Sequence, residues 1–194
     1  MDGFERRREQ KKKDILQAAL SLFLKYGVQK VSVAEIAKEA AVSQVTIYNY
    51  FESKDNLVHE VIIFYTDTVW QKYYEEIFES DLSFSEKITK IIFEKKETAE
   101  EIHPDFYQYF MKEYANGISY MEKLYTEQVL PKFIELFNEG KAEGLVDPTL
   151  SNEAIIFYIQ MFKEYFQRED AYEKALPITE DLTKLFFYGI AGNK

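Results

Sequence analysis

The chain has 194 residues, 46% of them hydrophobic and none cysteine, which fills one or two packed domains and excludes disulfides, thiolate metal sites and cysteine nucleophiles. Its net charge of −10 is unevenly spread: residues 1–60 hold ten basic and nine acidic side chains, residues 61–194 fourteen and twenty-five. A head able to approach phosphates is thereby set against an acidic body that phosphates repel. No run reaches membrane-spanning length and no signal-peptide stretch opens the chain, so a cytoplasmic location without membrane contact is expected.

Arg6-Arg7-Arg8 and Lys11-Lys12-Lys13 read as a basic arm. Residues 10–26 place Ile15, Ala19, Leu22, Phe23 and Tyr26 on one helical face, and Gly27 supplies the stop. Ser32-Val33-Ala34-Glu35 is a capping box that opens a short helix through Ala40. After a tight break at Ala41-Val42-Ser43, a second short helix carries Val45 to Tyr50. Ser53 caps a long helix with apolar residues through Leu57, Val61, Phe64, Trp70 and Tyr74 to about Glu79. Ser83-Phe84-Ser85-Glu86 opens a helix to about Glu101, His103-Pro104 breaks it, and 105–115 form an aromatic helix. Asn116-Gly117 reads as a stop, Ser119 as a cap, Pro131 as a kink, and Gly140, Gly144 and Asp147-Pro148 as a loop. Helices over about 151–169 and 178–191 complete the pattern. The fold class is all-α: a three-helix head over residues 1–53, joined by a long helix to a helical body over 54–194.

Two short helices across a tight turn, following an amphipathic helix, make a helix-turn-helix. Ile36, Ala37, Ala40, Val42 and Ile47 supply its apolar contacts, with Ala37 small enough for a close crossing. Ser43 sits where the second helix needs an N-cap. That helix must present polar groups to bases and phosphates, and Gln44, Thr46, Tyr48, Asn49 and Tyr50 lie on it, with Lys54 just beyond. Glutamine and asparagine suit adenine edges, and a threonine or Val45 methyl suits the thymine methyl. Tyrosine hydroxyls and Lys54 suit phosphates.

The run from Val31 to Leu57, with its Tyr48-Asn49-Tyr50-Phe51-Glu52-Ser53-Lys54 segment, resembles the DNA-binding signature of the tetracycline-repressor (TetR) family. The resemblance implies a helix-turn-helix at double-stranded DNA, with Ser32, Ser43, Gln44, Val45, Thr46, Tyr48, Asn49, Tyr50 and Lys54 as its contacts. Ala41 stands where that family usually has glycine, at a cost of about 1 kcal/mol if its φ is positive.

The body holds twenty-six of the thirty-two aromatic residues. Aromatic stripes usually build core, but phenols on several helices can also line a cavity. By resemblance this body binds a small lipophilic effector, and Trp70, Tyr74, Tyr107, Phe110, Tyr114, Tyr125 and Phe162 are the expected lining. The acidic excess leans toward a cationic or neutral effector. The last two helices are expected to pair with their symmetry mates in a homodimer, through Ile155, Ile159, Phe162, Phe166, Leu182, Phe186 and Gly189. Two alternatives stand beside this repressor reading: a constitutive DNA-binding dimer that contacts a protein partner, and a helical-bundle enzyme. Glu100-Glu101-Ile102-His103 has the Glu-x-x-His spacing of di-iron bundles, but no second copy exists, so no catalytic residue, metal or cofactor is expected.

Overall fold

The computed structural model describes residues 3–115, 120–166, 168 and 171–191, and every regular element among them is helical. Helix α1 spans Gly3–Tyr26, seven residues earlier than the apolar pattern alone marks. Glu5 to Lys13 contain only Glu, Gln, Arg and Lys, all good helix formers, so the basic arm is itself helical. α2 (Val33–Glu39) opens on the expected capping box: Ser32 Oγ accepts from the Glu35 amide at 3.2 Å, and the Ser32 amide donates to the Glu35 carboxylate at 2.7 Å. These bonds hold the Glu35 carboxyl below the usual carboxylate range. α3 (Gln44–Phe51) is capped by Ser43, and α4 (Lys54–Tyr73) by Ser53, whose Oγ accepts from the Asn56 amide at 3.0 Å.

α4 continues as a π-helical stretch, Tyr74–Phe78, close to the end expected. α5 (Phe84–Glu101) and α6 (Pro104–Ala115) flank the His103-Pro104 break. His103 Nδ1 accepts from the Asp105 amide at 3.1 Å, so this imidazole caps α6. α7 (Tyr120–Leu124), a π-helical stretch (Tyr125–Val129) and α8 (Leu130–Ala142) follow one another directly. Pro131 therefore neither splits nor ends the helix. The wider π turn precedes it, and a π turn is one way a helix accommodates a residue that cannot donate. Gly140, expected in a loop, lies inside α8 and is buried. A Cβ there would meet Phe84 and Val146 at 2.7 Å, so glycine serves close packing. Asn116-Gly117 and Ser119 lie outside the described residues. α9 (Asn152–Phe166), α10 (Ala171–Ala175), a 3₁₀ turn (Leu176–Ile178) and α11 (Thr179–Ala191) finish the chain.

These elements form two compact units, one of residues 1–68 with 101–113, the other of 69–100 with 114–194. The functional division expected at residue 53 thus differs from the division by packing, which includes α6 in the first unit. The reason is local: Phe106 is fully buried, stacked 6.5 Å from Phe23 and edge-on to Tyr65 at 5.4 Å. The core of the second unit is built from Tyr73, Ile77, Phe84, Ile88, Ile91, Leu136, Phe137, Ile155 and Phe187, among others. Lys87, the one buried charged residue described there, pairs with Glu139 at 2.8 Å.

Candidate nucleic-acid interface

The helix-turn-helix is held by its own backbone and caps. Ala41 has φ +51°, the left-handed conformation that alanine tolerates poorly, and Val42 N then donates to Ala37 O at 2.9 Å to close the turn. Glu52, which ends α3, has φ +64°. Both ends of the recognition helix are therefore strained at non-glycine residues. Replacing Ala41 with glycine is expected to stabilise the protein by about 1 kcal/mol, read as a rise in melting temperature.

Within α3, Ile47 and Phe51 are buried one turn apart, which fixes the opposite face outward. Gln44, Val45, Tyr48 and Asn49 are exposed, Val45 by 67% and Tyr48 by 47%. A branched apolar side chain left this open on a short, rigid helix is what contact with a thymine methyl requires. Thr46 and Ser43 face each other, their hydroxyls 2.8 Å apart, and Ser43 Oγ accepts from the Thr46 amide at 3.0 Å. Both hydroxyls thus already help to cap the helix. Ser32 is likewise engaged by Glu35, with its own hydroxyl donating at 2.7 Å.

Two expected contacts have additional tasks. The Lys54 ammonium donates to the Val28 carbonyl at 2.7 Å, which ties the start of α4 to the loop after α1 and leaves two of its three donors. Tyr50 turns toward α1: its hydroxyl donates to Arg8 O at 3.3 Å, and the Arg8 guanidinium lies 5.9 Å over its ring. Here the structure adds Phe4 and places three residues of the basic arm. Phe4, Arg7, Arg8 and Lys11 of α1, with Asn49 and Tyr50 of α3, line one open groove. Three cations and no carboxylate line it, beside the exposed face of the recognition helix. The two basic triplets were the available signal, but only a helical α1 assigns Arg7, Arg8 and Lys11 to the groove.

The loop after α1 is fixed as well. Gly27 has φ +81°, and a Cβ on it would lie 2.8 Å from His103 Cε1 and 2.9 Å from Asp105 Oδ2. Asp105 accepts from the Gln29 amide at 2.8 Å, so neither side chain is free to yield. Gly27→Ala is expected to cost about 2–3 kcal/mol, from left-handed strain plus the clash, measured by denaturant unfolding.

The residues expected to line a pocket are divided between the two units. Tyr107 and Phe110 belong to the first unit, where their rings are 6.2 Å apart and Phe110 is edge-on to Tyr65. Trp70, Tyr74, Tyr125 and Phe162 belong to the second. There Trp70 donates to Gln128 at 2.9 Å and packs on Tyr74 and Phe78, whereas Phe162 packs on Tyr158 and Phe186. Of the expected dimer contacts, Ile155 is only 4% exposed and sits in the core of its own unit. Ile159 and Phe186 pack against that core, as parts of an aromatic cluster in the case of Phe186. Leu182 is half-buried and Gly189 exposed. The side chains of Tyr114 and Phe166 lie outside the described residues. The open apolar face of α9 and α11 is made instead by Phe157, Met161, Tyr165, Leu185 and Tyr188. These side chains alternate with the inward-packed Tyr158, Phe162 and Phe186, because both faces of these helices carry aromatic residues.

A helical head that presents a capped, rigid recognition helix beside a cationic groove defines a helix-turn-helix DNA-binding protein. Residues 15–61 match the family model described as bacterial regulatory proteins, tetR family. The head of this chain therefore carries the DNA-binding region of the tetR family of bacterial regulatory proteins. It is 26% identical over 151 residues to the HTH-type transcriptional repressor KstR2 of Mycolicibacterium smegmatis, a match covering 76% of this chain and 73% of that one. Among solved structures it resembles Thermus thermophilus FadR, a TetR-family repressor in complex with lauroyl-CoA, with a TM-score of 0.59, 20% identity, and coverage of 94% of this chain and 96% of that one. It also resembles KstR2 of Mycobacterium tuberculosis, a ketosteroid transcriptional regulator, with a TM-score of 0.53, 18% identity, and coverage of 94% and 95%. No described helix is long and apolar enough to cross a membrane.

Proposed function

We propose that this protein is a homodimeric, cytoplasmic repressor that reads a two-part operator with Gln44, Val45, Tyr48 and Asn49 and leaves it when a small molecule binds the body. The observation that carries the reading is the outward face of α3, rigidly capped and free of contacts that would cover it. Val45 and Asn49 read bases; Tyr48, Lys54 and the α1 groove hold phosphates. The relatives support release by an effector, since one of the similar structures is a repressor bound to lauroyl-CoA. Dimerisation is supported by the exposed apolar side chains Phe157, Met161 and Tyr165 of α9 and Leu185 and Tyr188 of α11.

Selection of bound duplexes from a random pool tests the reading. Two inverted half-sites about one helical turn apart are expected. On the selected duplex, Asn49→Ala should lower affinity by about 1–3 kcal/mol while leaving binding to random DNA nearly unchanged. Equal losses on both would show that Asn49 does not read sequence. A reporter carrying the selected site should be silenced by the protein and released by a compound from a metabolite screen.

A further inference from the structure

The groove between α1 and α3 contains one side chain that phosphate binding does not use. Its volume of about 400 Å³ is within the range of ligand clefts, and Phe4, Arg7, Arg8 and Lys11 form its α1 wall. A helix turns about 100° per residue, so these four positions (i, i+3, i+4 and i+7) share about 100° of arc. Glu5 and Glu9 of the same helix fall outside that arc, and no carboxylate lines the groove. Lys12 is engaged elsewhere: it pairs with Glu60 at 3.0 Å and lies 6.0 Å over the Phe51 ring. The stripe is therefore three cations led by one phenyl ring, and that ring is 66% exposed.

Helix geometry places the ring. Arg8 meets α3 directly, its carbonyl accepting from the Tyr50 hydroxyl at 3.3 Å and its guanidinium 5.9 Å over the Tyr50 ring. Phe4 stands one turn before Arg8, about 6 Å farther along α1. Asn49, on the exposed face of α3, lines the same groove, so the base-reading surface runs into it without a break. A recognition helix occupies the major groove. The strand bordering that groove has the minor groove on its other side, so a side chain one turn past the backbone clamp meets the flanking minor groove. A phenyl ring has nothing to donate or accept there. It cannot read the hydrogen-bond pattern of the bases, but an apolar wedge favours base steps that unstack easily.

We propose that Phe4 is a DNA-reading residue that acts through shape. With Arg7, Arg8 and Lys11 on the backbone, it wedges into the minor groove beside each half-site and selects pyrimidine–purine steps there. This rests on the operator reading above and extends it to base pairs that α3 does not touch. Specificity then has two sources, hydrogen bonds and methyl contacts under α3 and deformability under α1.

The test uses the full-length protein and the selected duplex, with both half-sites kept and only the flanking base pairs changed to TA or CA steps, an A-tract or a G·C run. Fluorescence anisotropy should show about tenfold tighter binding with the flexible flanks than with the A-tract. In Phe4→Ala that preference should shrink below about twofold, while melting temperature and salt slope stay unchanged, because the ring is exposed and uncharged. Phe4→Leu keeps an apolar wedge and should keep most of the preference. Equal binding to all flanks by the wild type, or a preference that survives in Phe4→Ala, would overturn the assignment. So would a lower salt slope in that variant, which puts the loss on displaced cations, or tightest binding to the A-tract, whose stiff, narrow groove favours arginine over a wedge. Asn49→Ala alters the half-site preference alone and should leave the flank preference intact, so the two readings fail on different measurements.

Discussion

Replacing Arg7 and Arg8 together with alanine is expected to make operator binding far less sensitive to salt. Each phosphate neutralised releases counter-ions and adds about 0.9 to the slope of log affinity against log salt. Two residues in each of two heads therefore account for a slope change of up to about 4. Between 50 and 200 mM salt the wild type should lose about a hundredfold more affinity than the variant. Both side chains are exposed at the groove, so the fold has little reason to suffer beyond the Arg8–Tyr50 contact. Arg7→Lys with Arg8→Lys keeps the charge and should keep the slope. Lys54→Ala offers a contrast, because its ammonium also holds Val28 O: it should lower stability as well as affinity. Fluorescence anisotropy across a salt series separates these outcomes. An unchanged slope in the double alanine variant would mean that α1 stays clear of the backbone.

The head was legible in the sequence because its signals are local. Ser32, Ser43, Ser53 and Ser83 each cap the helix that follows, and a cap needs only a side chain three residues from the amide it accepts. Ala41 carries the positive φ that its place in the turn demands. What stayed hidden depends on residues far apart in the chain. Nothing near Tyr50 announces that Arg8, forty-two positions earlier, would take its hydroxyl. Gly140 looked like a loop glycine because Phe84 and Val146, which make it necessary, come together only in the folded unit. In the last helices the difficulty was composition. Apolar and aromatic residues occupy both faces of α9, so periodicity could not separate Tyr158 and Phe162, which pack inward, from Phe157 and Met161, which do not.

That separation decides where to test the proposed dimer. Phe157, Met161 and Tyr165 recur every fourth residue on α9 and so form one stripe; Leu185 and Tyr188, one turn apart on α11, form a second. Leu185 is 65% exposed and Phe157 64%, so neither contributes much to the monomer's core. Leu185→Asp should therefore fold with nearly the wild-type melting temperature of the isolated subunit, while removing an apolar anchor and placing a carboxylate at the pairing face. Loss of an anchor costs about 2 kcal/mol, and a two-fold interface contains the residue twice. About 4 kcal/mol raises the dissociation constant roughly a thousandfold, before the buried charge adds to it. Sedimentation at micromolar concentration should show a monomer, and affinity for the two-part operator should collapse toward that of one half-site. Ile155→Asp discriminates between the faces: at 4% exposure it should unfold the second unit rather than dissociate folded subunits. If Leu185→Asp remained a dimer, pairing through this face of α9 and α11 would be ruled out, and the interface would have to lie elsewhere on the chain.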